Sequence, residues 1–188
     1  MQGGSIGGWS PLSGYYLSGK VKGALSINGS HFLERALHWF GTPVGVRYWD
    51  DSRGGPEANA TAVLKYDGLE GLIRVSRTAR LRPGCAIETT QGVLLHRDWE
   101  DPVVQFVPKS MDSDAFRAVD PRYRTDSRPD PYRLQIADFV ASCIEGRPPR
   151  VTLSEGIAVS RLINALYASR EDMPADWYRG QFIQGRVA

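Results

Sequence analysis

The sequence predicts an α+β fold: an open, mainly antiparallel β-sheet with helices on one face, its other face an oligomer interface. Three observations carry this. An apolar pattern with helical spacing near residue 30 gives way, from Val44, to a run of alternating segments. The segments are joined by tight-turn dipeptides, which allow antiparallel pairing but are too short for parallel crossovers. Two more helical patterns follow near the C-terminal end, so helices and strands are segregated along the chain.

Residues 1–23 are rich in Gly, Ser and aromatics and read as a loop folded over a surface. From Gly29 to Gly41, Leu33, Leu37 and Phe40 recur at helical spacing; Ser30 is the expected cap, and Gly41 and Pro43 stop the helix. Val44, Val46 and Tyr48 then alternate, as do Ala60, Ala62, Leu64 and Tyr66. Asp67-Gly68 and Gln91-Gly92 are hairpin signals. With Cys85–Glu88, Val93–Leu95 and Val103–Val107, the segments form a meander of about five or six strands. Residues 109–130 read as a long surface connection. Asp130-Pro131 opens a helix whose face is Tyr132, Ile136, Phe139, Val140, Cys143 and Ile144, closed by Gly146. Thr152 to Glu155 is a capping box for a last helix, with Val159, Leu162, Ile163 and Leu166 inside. The expected organisation is a loop over 1–23, one domain over 24–172 and an irregular tail over 173–188.

The chain has 188 residues, enough for one domain with a sizeable core. Its net charge of +2 gives no reason to expect a nucleic-acid or membrane partner. No apolar run reaches the roughly 20 residues of a membrane span. No signal peptide is visible, so the cytoplasm is the expected compartment, with Cys85 and Cys143 as buried thiols rather than a disulfide.

Three stretches taken together resemble the C-terminal half of the Gfo/Idh/MocA oxidoreductases. Gly23-Ala-Leu-Ser-Ile-Asn-Gly-Ser-His31, with a helix ending at Gly41, is similar to the family's Asp-x-Gly-x-His segment. Pro131 to Val140, followed by Gly146-Arg-Pro-Pro149, resembles its penultimate helix, and Glu155 to Ser169 its final one. The resemblance implies a sheet that binds sugar-like substrates and forms oligomers. The strand, Gly-x-Gly-x-x-Gly and helix that would hold a nicotinamide cofactor are not readable here, so no cofactor is expected. The family's Asp falls at Ile27, while its His is kept as His31.

His31 is the principal candidate catalytic residue, expected in the first turn of a helix, where the dipole favours the neutral base. Glu34, one turn on, could replace the lost carboxylate or simply pair with His38 in solvent. Asn28, Tyr15, Tyr16, Lys20 and Trp9 are candidate substrate-binding residues, the aromatics for stacking on a sugar face. Arg74, Arg77, Arg80 and Arg82 suit phosphate recognition or a solvated strand edge. The three histidines have no metal spacing. Three functions are consistent with this: an accessory or substrate-binding subunit, a cofactor-independent isomerase, lyase or cyclase using His31, and a non-catalytic scaffold. Expected partners are a second copy through the sheet face, a separate Rossmann-containing oxidoreductase and a small polar or sugar-like ligand.

Overall fold

The computed structural model describes residues 2–4, 23–79, 81, 83–96, 103–110, 116–119 and 130–179. The architecture is α+β, and its strand pairing is antiparallel except at two edges. The strands fall into two sheets, in two compact units, where the turn chemistry alone predicts one meander.

The first unit holds β1 (Gln2–Gly4), β2 (Gly45–Asp50), β3 (Asn59–Tyr66), β4 (Leu69–Ser76) and β9 (Arg170–Asp172), in the order β1-β4-β3-β2-β9. Asp67-Gly68 makes the expected turn between β3 and β4, with Gly68 at φ 73°. The edge strands β1 and β9 pair in parallel, with β4 and β2. β1 corrects the reading of residues 1–23 as loop throughout. Register puts Tyr48, Ala62 and Ile73 in one row and Asp50, Ala60 and Val75 in the next, on one face. All six are buried.

Two helices lie on that face. A π-helical turn, Leu25–Gly29, runs into α1 (Ser30–Phe40), which buries Phe32, Leu33 and Ala36 and sets Phe40 5.9 Å from the Tyr66 ring. The last turns of α3 (Leu153–Ala168) bury Leu162 and Leu166 and bring Tyr167 edge-on to Tyr48, 5.5 Å between centroids. The opposite face carries Arg47, Val63 and Leu72 in one row and Trp49, Thr61 and Arg74 in the next. Trp177, in the 3-10 turn Ala175–Arg179, packs there and donates to Thr61 Oγ1 at 3.1 Å, so the described part of the tail is tied to the sheet. Leu72 stays 43% exposed.

The second unit contains β5 (Cys85–Glu88), β6 (Gly92–His96), β7 (Val103–Pro108) and β8 (Phe116–Val119), an antiparallel meander in sequence order. β8 lies inside the stretch expected to be a connection. Thr89 builds the Gln91-Gly92 turn: its Oγ1 accepts from both amides, and a side chain at Gly92 would strike the Val107 carbonyl. The division from the first sheet begins at Ser76, whose Oγ accepts from the Thr78 and Ala79 amides and turns the chain off the β4 ladder.

α2 (Pro131–Glu145) starts and stops as its sequence predicts. Asp130 accepts from the Tyr132 amide at 3.0 Å, and Gly146 closes it in the left-handed region. Its expected inward face is instead on the surface: Tyr132, Ile136, Phe139, Val140 and Ile144 are exposed, and so is Cys143. Amphipathic spacing fixes which residues share a face, not what covers it. The Thr152 and Glu155 capping box is formed at the start of α3. Among the described residues no helix is long and apolar enough to cross a membrane.

Candidate functional site

The segment singled out in the sequence, residues 23–31, begins a helix earlier than its periodicity suggests. Ser30 does not cap it; its hydroxyl donates back to the Ile27 carbonyl, 3.3 Å away. The first turn closes at Gly23, whose carbonyl accepts from Ile27 N at 3.2 Å. A helix leaves its first four amides without internal partners. Here Glu57, in the loop between β2 and β3, takes three of them. Its carboxylate accepts from Gly23 N (3.0 Å) and Leu25 N (2.9 Å), and its backbone carbonyl accepts from Ala24 N (3.0 Å). The Tyr167 hydroxyl also donates to Glu57 Oε1, at 2.9 Å. A Cβ at Gly23 would overlap Glu57, so only glycine allows this approach.

Glu57 is 5% exposed. Burial raises its pKa above the ordinary glutamate value and outweighs the hydrogen bonds that lower it; the Asp50 carboxylate adds to the rise. Burial likewise pushes the Tyr48 and Tyr167 hydroxyls well above the usual tyrosine range. Tyr48 Oη is buried with no hydrogen-bond partner in direct geometry among the described residues, although its charge state is coupled to Glu57 and Asp50. Asp50, 1% exposed, is neutralised by Arg170, whose Nε donates to it at 2.7 Å. Asp51 accepts from the Ala58 and Asn59 amides and from Asn59 Nδ2, fixing the loop that carries Glu57.

The predicted site residues occupy the outer side of this helix. His31 is exposed and sits two turns in, so the helix-terminus argument for its basicity does not apply. Asn28 is exposed within the π-turn, and its Oδ1 accepts from Arg77 Nη2 at 2.5 Å. That leaves the Asn28 amide NH2 to donate outward, three residues from His31 and on the same helical side. π-Turns of this kind recur at functional positions. Glu34 is exposed and, among the described residues, bonded to neither His31 nor His38. Tyr15, Tyr16, Lys20 and Trp9 lie outside the described residues, as do Arg80 and Arg82. Arg74 is half-buried on the opposite sheet face, where burial lowers its pKa, so it does not join Arg77. Sequence reasoning missed Glu57, Tyr167 and the Arg77 contact with Asn28. Each acts across a wide gap in sequence, and only Glu57 carries a local hint, a carboxylate between Gly-Gly-Pro and a strand.

A model of the oxidoreductase family's C-terminal alpha/beta domain, Gfo/Idh/MocA, matches residues 18–176. The chain belongs to this family. Solved oxidoreductases share its fold. The apo form of levoglucosan dehydrogenase aligns with a TM-score of 0.70 at 15% identity, over 89% of this chain and 56% of that one. An Agrobacterium radiobacter oxidoreductase, in complex with NAD+, L-tartaric acid and magnesium, gives 0.65 at 14% identity, over 89% and 52%. An NAD-binding oxidoreductase of Klebsiella pneumoniae gives 0.61 at 16% identity, over 79% and 48%. The chain thus spans about half the length of the oxidoreductases it matches. No curated protein matches it.

Two of the solved neighbours are described as binding NAD or containing NAD+. A dinucleotide pyrophosphate needs free amides at a helix N-terminus. In the helix that begins at Gly23 the first three of those amides are taken by Glu57, so this end does not fit the group. Among the described residues no cluster of His, Cys, Asp and Glu could hold a metal ion.

Proposed function

We propose that this domain acts as the substrate-binding or accessory part of a cytoplasmic sugar or polyol oxidoreductase, with the nicotinamide held by a separate Rossmann-type partner. The observation that carries the reading is the outer side of the 24–40 helix. It presents Asn28, steadied by Arg77, beside the exposed His31. An amide donor and an imidazole at helical spacing suit the hydroxyl or carboxylate oxygens of a polyol. The fold neighbours add support, one being a levoglucosan dehydrogenase and another containing L-tartaric acid.

The cofactor-independent alternative draws less support. General acid–base catalysis by His31 needs an oriented partner, and Glu34 is not bonded to it. Assembly belongs to the same proposal: the sheet face with Arg47, Val63 and Leu72 is offered to a second copy.

Titration of the chain with levoglucosan and with L-tartrate, followed through the His31 ring signals by NMR, tests the reading. The expected result is a saturable shift with either ligand in wild type, lost in Asn28→Ala. Calorimetry with NAD+ and NADP+ is expected to show no micromolar binding. Unmoved His31 signals, or tight dinucleotide binding by the chain alone, would overturn the proposal.

A further inference from the structure

We infer that Glu57 is the positioning residue of this site. It does not face the ligand surface. It fixes the helix that carries Asn28 and His31 by taking the first three amides of that helix, and it ties the same helix end to α3 through Tyr167. The inference rests on the functional reading above only for what the positioned face binds.

Ordinary helix caps come from a residue next to the helix, and they move with it. Glu57 lies 34 residues from Gly23, on a loop that Asp51 pins to the start of β3. The helix end is therefore registered against the sheet. The arrangement is tight, since Gly23 has no room for a side chain against Glu57. It is also dry enough that loss of the carboxylate leaves amides without an acceptor, a costly state for buried N–H groups. The π-turn bearing Asn28 starts at Leu25, one of the three amides held. Loosening the cap thus reaches Asn28 first and His31 one turn later.

Glu57→Gln retains the side-chain size but turns an NH2 group toward one of the amide donors. The test is amide hydrogen exchange and His31 ring signals by NMR on the full chain, with Ile73→Val as a control that loosens the core between sheet and helices and leaves the cap intact. Glu57→Gln is expected to speed exchange at residues 24–28 by about tenfold or more, to leave Ala62 and Ile73 amides no faster than in the control, and to move the His31 signals. Uniform acceleration across helix and sheet, or unchanged exchange at 24–28, would overturn the inference. Should Glu57→Gln not fold, Tyr167→Phe decides. It removes the tie from Glu57 Oε1 to α3 and is expected to speed exchange at residues 24–28 more than at Ala62 and Ile73; a uniform change, or none, counts against the cap. If levoglucosan and L-tartrate leave wild-type His31 unmoved, the functional reading fails, while the cap still stands or falls on exchange.

Discussion

Glu57 shows how burial and hydrogen bonding oppose each other on a single carboxylate. Its donors favour the charged form and its surroundings favour the neutral one; burial wins, and the pKa rises above 4.5. The native state then binds more protons than the unfolded chain between the ordinary glutamate pKa and the raised one. Stability from this group is full below that window and falls as pH rises through it. Urea unfolding at several pH values from 4.5 upward is expected to show the decline in wild type and a flatter profile in Glu57→Gln, beyond the constant loss of the cap. Gly23→Ala probes the same contact sterically. Its methyl group would meet both the backbone and the carboxylate of Glu57, with an expected cost of about 1–3 kcal/mol, read as a lower melting temperature. None of this is legible in sequence. A short-range rule gives Ser30 the capping role because it adjoins the apolar pattern, whereas the true acceptor arrives from the β2–β3 loop. His31 was recognisable by its motif, but its place two turns into the helix depended on that unseen cap.

Elements follow local chemistry where the partners are neighbours. Asp130-Pro131, the Thr152 and Glu155 box, Gly146, Asp67-Gly68 and Gln91-Gly92 each act within a few residues, and each is formed as read. What an element packs against is a tertiary matter. In α1, periodicity and burial agree in part: Leu33 is fully buried, but Leu37 is half-buried and Phe40 exposed, while His31, two positions before Leu33, is exposed. Leu33→Ala is therefore expected to lose about 2–5 kcal/mol. His31→Ala is expected to stay within about 0.5 kcal/mol of wild type. Denaturant melts of the two variants check both values, and a large loss in His31→Ala would mean the residue is structural. α2 has a less sharply one-sided apolar pattern, and Ile136 and Ile144 are 63% and 79% exposed. The pattern correctly gave the helix and the grouping of its side chains, and it held no information on a covering surface.

At the scale of the whole molecule, alternation identified most strands but not their grouping. A period of two says that Ala60, Ala62 and Leu64 share a face, and that Thr61 and Val63 share the other; it leaves open which is inside. The helices settle that in favour of the even set, because Tyr167 and Phe40 pack over Tyr48 and Tyr66. The separation into two sheets came from Ser76 capturing two amides just after β4, a side-chain choice that periodicity does not contain. The odd face then poses the last question. Trp177 donates to Thr61, Arg47 lies over the Trp49 ring at 4.5 Å, and Leu72, beside Val63, is 43% exposed. Val63 and Leu72 sit among Arg47, Trp49, Arg74 and the Lys65–Glu70 pair, a mixture of apolar, aromatic and arginine side chains that suits a protein interface. If a second copy covers it, a two-fold arrangement sets Leu72 against the same strip of its partner. A lysine there would face the partner copy's lysine across the two-fold axis, and like charges repel. Leu72→Lys is expected to convert a dimer into a monomer by light scattering at micromolar concentration, with the circular dichroism spectrum of the chain retained. A wild-type chain that scatters as a monomer, or a Leu72→Lys variant that still dimerises, would put the contact elsewhere.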